Sequence, residues 1–308
     1  MTAALTTSER RAYRQVCGAN GLMIVVAADQ RGGMRKVLAD TDAEREAIDE
    51  ARLGIVKAAI VRHLANKASA VLLDPVCAVP AVVDEDVLAR DVGLLIGLDA
   101  SGYDTDAGGY RLSRLVPDVT ARRVRELGGT GAKLLVYLRP DRADANEHNM
   151  RIVRDCVADF AAEDVLLVVE ILTYRLEDES EADYRAAHPG LIVECARMAL
   201  EAGSKVLKLP YPGTAGACRA ITELCGGAPS AGGVPWAVLS AGVDHATFVE
   251  QVRTAMEGGA SGVIAGRALW KDCISLDADE CARRLEGIAS ERLREIERVI
   301  DAYAAPRG

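Results

Sequence analysis

Lysine is scarce in this chain. The sequence has 37 basic residues, and its lysines are Lys36, Lys57, Lys67, Lys133, Lys205, Lys208 and Lys271; all the rest are arginine. Arginine has taken over the task of solubilising the surface, so a lysine inside an apolar run needs a separate reason. Only an amine with a free lone pair can attack a carbonyl, which a guanidinium does not do at neutral pH. Histidine is equally sparse: His63, His148, His188 and His245 are scattered, with no H-x-E pattern. The eight cysteines form no C-x-x-C and no Cys/His cluster. A zinc site is therefore not expected, and the thiols read as buried groups of a reducing cytosol. No run of about 18 apolar residues exists, and the opening MTAALTTSERRAYRQ has no signal-peptide core, so a cytoplasmic, membrane-free protein is expected. A net charge of -9 and a pI near 5.1 argue against nucleic acid or anionic lipid as partner. A small anionic substrate stays compatible, because a local basic site overrules a global field.

With 308 residues, 50% of them hydrophobic and 27% charged, the chain can bury a large core. Short runs rich in Val, Ile and Leu alternate with amphipathic stretches. Strands are expected at 22–28, 70–73, 92–98, 133–138, 165–172, 205–209, 236–239 and 262–265. They show little polar alternation, as in strands buried on both faces of a parallel sheet. Helices are expected at 43–64, 120–127, 149–161, 190–202 and 244–257. Eight such units need about 250 residues in a closed (β/α)8 barrel, also called a TIM barrel. The expected organisation is one domain over 1–308, with a barrel core near 21–275. A doubly wound open sheet would want G-x-G-x-x-G after the first strand, and Asp29-Gln30-Arg31-Gly32-Gly33 is not one. A charged amphipathic helix at 282–303 is expected to cap the barrel or to pack in a homodimer or higher homo-oligomer.

Catalytic groups of such barrels sit at the C-terminal ends of the strands. Polar residues gather there: Asp29, Gln30 and Arg31 after strand one, Asp74 after strand two, Lys133 on strand four, Glu170 on strand five and Lys208 on strand six. Charges inside apolar strands are costly unless they share a site. Lys205 lies three residues from Lys208, so the two face opposite sides of the strand, and Lys205, near the strand start, is expected to face solvent. A nucleophilic lysine must be neutral, which burial or a neighbouring cation such as Lys133 would favour. The bland alternative has equal weight at this level: both lysines could be ion-pair partners of Glu170 and Asp29. Ser240-Ala241-Gly242 and Gly266-Arg267 follow the last two strands, where backbone N–H groups and an arginine commonly take a phosphate.

Ala28-Asp29-Gln30-Arg31-Gly32, Leu72-Leu73-Asp74-Pro75, Gly102-Tyr103-Asp104, Gly131-Ala132-Lys133-Leu134-Leu135, Glu170-Ile171-Leu172-Thr173-Tyr174, Val206-Leu207-Lys208, Leu239-Ser240-Ala241-Gly242-Val243 and Gly266-Arg267-Ala268 resemble, in order and spacing, the tagatose-1,6-bisphosphate aldolase family of class I aldolases. The stretch 235–270 is also similar to aldolases that cleave 6-deoxy-6-sulfofructose 1-phosphate. The resemblance implies Lys208 as the Schiff-base lysine, Glu170 as the proton-transfer carboxylate, Lys133 as a nearby cation and Asp29 as an assisting carboxylate. It also implies Gln30 and Arg31 near the distal end of the substrate, and Ser240, Gly242, Gly266 and Arg267 around the C1 phosphate. Family members follow the lysine with Val-Glu-x-Pro; here Leu209-Pro210-Tyr211-Pro212 stands instead, so a carboxylate at the mouth is missing. Arg139, in Leu138-Arg139-Pro140-Asp141, brings the chain nearer the sulfosugar relatives and is a candidate for a terminal phosphate or sulfonate.

The implied activity is metal-free and cofactor-free cleavage of a ketohexose 1,6-bisphosphate, most simply tagatose 1,6-bisphosphate, to glycerone phosphate and glyceraldehyde 3-phosphate. The alternatives are a sulfofructose-phosphate aldolase giving 3-sulfolactaldehyde and, from another class, a non-catalytic metabolite-sensing barrel. C4 stereochemistry is not legible.

Overall fold

The computed structural model describes residues 4–304. Eight parallel strands close into a barrel: β1 (Met23–Ala28), β2 (Ala70–Leu73), β3 (Gly93–Gly97), β4 (Gly131–Tyr137), β5 (Leu166–Leu172), β6 (Leu207–Pro210), β7 (Trp236–Leu239) and β8 (Gly262–Ala265). Each strand neighbours its sequence neighbours, and β8 closes on β1 with Met23 opposite Gly262. The (β/α)8 expectation is met, and the expected strands lie within two residues of those observed.

Two apolar layers follow from the two-residue side-chain period. Met23, Val25, Ala27, Ala70, Leu72, Leu95, Leu166, Val168, Val206, Ala237 and Ile264 fill the lower barrel interior. The alternate set, with Ile24, Val26, Val71, Ile96, Leu134, Val169 and Leu207, packs outward against the helices. Each such Val, Leu or Ile contributes about 1.5–3 kcal/mol on burial. Continuing the inward parity upward brings Asp29, Asp99, Lys133, Tyr137, Glu170 and Lys208 to the C-terminal mouth.

The floor of the barrel is plugged by the helix Thr7–Val16, begun by a capping box between Thr6 and Glu9. Glu9 is buried and accepts from Lys205 Nζ at 2.7 and 2.8 Å. Lys205 is thus not a solvent-facing lysine as the strand position suggested: the plugging helix covers it and supplies its counter-ion.

Three helices depart from expectation. The stretch 43–64 is divided into Asp42–Glu46 and Glu50–His63. Thr41 and Asp49 each accept a backbone N–H from three residues on, so each starts a helix of its own. The helix Glu181–Glu201 begins well before residue 190 and runs through Pro189, with Ser180 as its cap. The C-terminal stretch is Ala278–Arg284, a π-turn Leu285–Ala289 and Ser290–Asp301. Its face of Leu293, Ile296, Val299 and Ile300 is buried on the barrel's own outer helices, chiefly His245–Glu257.

Between β3 and the helix Ala121–Glu126 the chain makes an excursion over the mouth. It contains a small antiparallel hairpin, Asp104–Thr105 with Arg111–Leu112. Among the described residues no helix is long and apolar enough to cross a membrane.

Candidate active site

A cavity of about 590 Å³ opens at the C-terminal mouth of the barrel, lined among others by Asp29, Gln30, Arg31, Asp99, Glu170, Lys208, Ser240, Ala241, Gly266 and Arg267. Its floor is a buried charge cluster. Glu170 on β5 and Lys208 on β6 are register partners, so both side chains point inward at one level. Lys208 Nζ donates to Glu170 Oε2 at 2.8 Å. Lys133, from β4, reaches the same oxygen at 3.3 Å and lies 2.7 Å from Asp29 Oδ2 and 2.6 Å from Asp99 Oδ1. Lys208 and Lys133 are 3% and 1% exposed, so water screens these contacts little.

The two lysines have different surroundings. Burial alone would lower the pKa of Lys133, but Asp29, Asp99 and Glu170 hold it well above the ordinary lysine value. Lys133 is a fixed cation, seated among three carboxylates. Burial also pushes the Asp29 carboxyl up; Lys133 and Lys208 outweigh it and bring the value down to about 2. Asp99 moves the other way: burial and the neighbouring anions Asp29 and Glu170 raise its pKa despite Lys133. Asp29 and Asp99 are thus pulled in opposite directions within one cluster, by cations in the first case and by burial and like charge in the second. Gln30 donates from Nε2 to Asp29 Oδ1 at 3.0 Å, while its own Oε1 is buried with no partner. Gln30 itself lines the cavity.

The rim carries a tight turn and an arginine side chain that lies over it. Ser240 O accepts from Val243 N at 3.1 Å, closing a tight turn in which Ala241 and Gly242 both have positive φ, 47° and 84°. The Ala241 conformation costs about 1–2 kcal/mol, which tertiary structure must hold. Lys271 Nζ donates to Gly242 O at 2.9 Å. A Cβ on Gly242 would stand 3.1 Å from Arg267 Cζ, so the absent side chain is what lets the guanidinium lie over the turn. Gly266 follows the last strand, and a Cβ there would stand 2.6 Å from Ala27 O. Among the described residues no hydrogen bond or ion pair engages the guanidinium of Arg31 or of Arg267.

The structure therefore brings together Asp29, Gln30, Arg31, Lys133, Glu170, Lys208, Ser240, Gly266 and Arg267, with Gly242 beneath Arg267. It does not bring Arg139. That guanidinium is fully buried outside the cavity, held by Asp141 at 2.8 Å, by Glu179 at 2.8 Å and by Tyr174 O at 2.8 Å. Arg139 is spent on carboxylates and is not a candidate for a terminal phosphate or sulfonate. Asp74 is also diverted: it pairs with buried Lys57 of the helix Glu50–His63 and accepts from Cys77 N at 2.9 Å. Asp99, Lys36 and Arg114 line the cavity and were not singled out from the sequence. Asp99 had a signal, since Leu95, Gly97 and Asp99 share the inward parity of β3. Arg114 had none, because it lies in the irregular excursion. No group of three or more His, Cys, Asp or Glu among the described residues is arranged to hold a metal ion.

A family model described as DeoC/LacD family aldolase matches residues 23–272. The tagatose 1,6-diphosphate aldolase of Streptococcus agalactiae serotype V is 28% identical over 323 residues, covering 97% of this chain and 98% of the relative. The enzyme of that name from Staphylococcus aureus strain MSSA476 is 29% identical, covering 85% of this chain and 84% of the relative. Among solved structures, the fructose-bisphosphate aldolase of Slackia heliotrinireducens superposes with a TM-score of 0.63 at 17% identity, covering 97% of this chain and 92% of that one. A Schiff-base-forming fructose-1,6-bisphosphate aldolase superposes with a TM-score of 0.59 at 17% identity, covering 91% and 98%. At these identities the structural likeness speaks to the fold.

Proposed function

The chain belongs to the DeoC/LacD family of aldolases and is a carbon–carbon lyase, and on that premise we propose that it cleaves a ketohexose 1,6-bisphosphate through a Schiff base on Lys208. The reading favours tagatose 1,6-bisphosphate, on the names of its relatives, giving glycerone phosphate and glyceraldehyde 3-phosphate.

The carrying observation is the asymmetry between the two buried amines. Lys133 is held as a cation by three carboxylates. Lys208 makes one ion pair among the described residues, with Glu170, and lines the cavity. A neutral amine is required to attack, and Glu170 lies 2.8 Å away to take the proton.

The amine of Lys208 adds to the C2 carbonyl. Glu170 returns a proton to the departing hydroxyl, and water leaves to give a cationic imine. A carboxylate of the cluster takes the C4 hydroxyl proton; Asp29, kept ionised, fits that task. The C3–C4 electron pair then flows into the imine, leaving an enamine, and the aldehyde departs. Protonation at C3 and addition of water to the imine release glycerone phosphate and restore the amine. Lys133 remains charged throughout and stabilises the carboxylates as protons move between them. The Ser240–Gly242 turn, Gly266 and Arg267 suit the C1 phosphate, and Gln30 Oε1 suits a sugar hydroxyl.

Incubation with glycerone phosphate and borohydride should leave a reduced adduct, found by peptide mass spectrometry on Lys208. An unmodified Lys208, or full turnover in Lys208→Met, would refute the proposal. Relative kcat/KM for tagatose 1,6-bisphosphate, fructose 1,6-bisphosphate and 6-deoxy-6-sulfofructose 1-phosphate ranks the sugars.

A further inference from the structure

The excursion after β3 is fastened to the barrel more firmly than a surface loop requires. Asn149, fully buried on the helix Glu147–Ala162, accepts from Ser113 N at 2.8 Å. The same side chain donates to Arg111 O at 2.7 Å and to Tyr137 O at 2.6 Å. Arg111 N donates to the Tyr174 hydroxyl at 3.0 Å. The Arg111 guanidinium sits among the rings of Tyr103, Tyr174 and Tyr137, at 4.3, 4.6 and 5.2 Å from their centroids. Arg114 follows directly, and its own carbonyl accepts from Ala100 N at 2.8 Å. These bonds place one cation, Arg114, on the wall of the cavity that Asp99 also lines.

Its position around the ring matters. Strands β3 and β7 are four places apart in the closed order, hence on opposite sides of the barrel. The Ser240–Gly242 turn follows β7, and Arg267 follows β8. A chain of carbons anchored there and bonded at Lys208 of β6 must run across the mouth toward β3. On the way it passes between Asp29 and Gln30, just past the end of β1, and Glu170 of β5. Arg31, which follows β1 and precedes the helix Gly32–Leu38, stands at the side of that path and not at its end. The side chain of Arg114 is only loosely engaged: it donates to Ser101 O at 2.9 Å and lies 3.3 Å from an exposed Asp104. Such an exposed pair contributes little and is readily exchanged for a better anion. The lining residues include five cations (Arg31, Lys36, Arg114, Lys208 and Arg267) against three carboxylates, an excess suited to a doubly anionic guest.

We propose that Arg114 is the specificity-determining residue for the far end of the substrate, gripping a second anionic group opposite the Ser240–Arg267 turn. The inference rests on the substrate orientation set out above. It assigns the distal end to Arg114 in place of Arg31 or Arg139, and it restricts good substrates to those with an anion at both ends.

Titration calorimetry with hexitol 1,6-bisphosphate and hexitol 1-phosphate tests it without turnover, since neither has a carbonyl to react. In the native chain the second phosphate should tighten binding by about 10- to 100-fold, the range of one charge-assisted contact. In Arg114→Met that ratio should collapse to within about 2-fold, and Arg114→Lys should restore part of it. A ratio that survives in Arg114→Met, or that is absent in the native chain, overturns the assignment. Borohydride trapping on Lys208 is read separately. A collapsed ratio with no adduct leaves the distal grip standing and removes the Schiff-base reading; an adduct with a surviving ratio does the reverse.

Discussion

Replacing Lys133 by methionine would remove the cation that three buried carboxylates share. Methionine keeps the length and fills the space, so the change is mainly one of charge. The ammonium lies 2.7 Å from Asp29, 2.6 Å from Asp99 and 3.3 Å from Glu170. Breaking a buried pair by deleting one partner costs about 3–5 kcal/mol, because the other charge is left uncompensated. The cost must depend on pH, and its sign follows from Asp29. In the native chain that carboxyl titrates at about 2, below its ordinary 3.8. A depressed carboxyl contributes stability that is present above about pH 4 and is lost as pH falls toward 2; the difference amounts to about 2 kcal/mol. Without Lys133, burial dominates and the carboxyls of the cluster move above their ordinary values. A raised carboxyl stabilises the folded state at low pH and loses that contribution as pH climbs through its folded value. The penalty for Lys133→Met should therefore be smallest near pH ~5, about 1–2 kcal/mol, and approach about 3–5 kcal/mol near pH ~8. Urea unfolding followed by tryptophan fluorescence reports it, since Trp236 and Trp270 are both buried. A penalty independent of pH, or one that grows as pH falls, would refute the charge cluster as described.

Two further outcomes separate the mouth from the floor of the barrel. Gly266→Ala puts a carbon 2.6 Å from Ala27 O and must push the Arg267 turn away from β1. Overpacking of this kind costs about 1–3 kcal/mol, so the variant should fold while kcat/KM drops by about 10- to 100-fold, chiefly through KM; an unchanged KM for phosphorylated substrate would contradict the assigned phosphate turn. Glu9→Ala removes both the partner of Lys205 and the Thr6–Glu9 capping box, far from the cavity. Stability should fall by about 1–3 kcal/mol with kcat/KM unchanged below the melting transition, and a fall in activity without a fall in stability would sink that division.

The fold was legible because each level of the sequence agreed with the next. Runs rich in Val, Ile and Leu recurring along the chain read as strands of a parallel sheet, and each such run was found as a barrel strand. The candidate site was legible where a charge interrupted an apolar strand, as at Lys133, Glu170 and Lys208. A charged residue in that setting must face a shared polar site, and parity says which side it faces. Legibility failed where a charge left the strand. Arg139, just past the end of β4, looked like Arg267, just past the end of β8. Only the structure showed Asp141 and Glu179 holding the first, while among the described residues no hydrogen bond or ion pair engages the second guanidinium. Lys205 looked like a surface lysine because its partner, Glu9, lies almost two hundred residues away on the plugging helix. Arg114 was invisible, since its place at the mouth depends on Asn149, Arg111 and three tyrosines from separate elements.

The sequence by itself thus determined the barrel, the inward-facing lysines and carboxylates, and the small residues of the phosphate-type turns, because these follow from local periodicity and backbone freedom. The tertiary structure decided which lysine is saturated and which has a single carboxylate partner. It also decided which arginine faces the cavity and which is consumed by carboxylates. Those outcomes depend on distances between groups far apart in the chain, and charge–charge interaction in a buried site is set by distance and solvation, not by residue order.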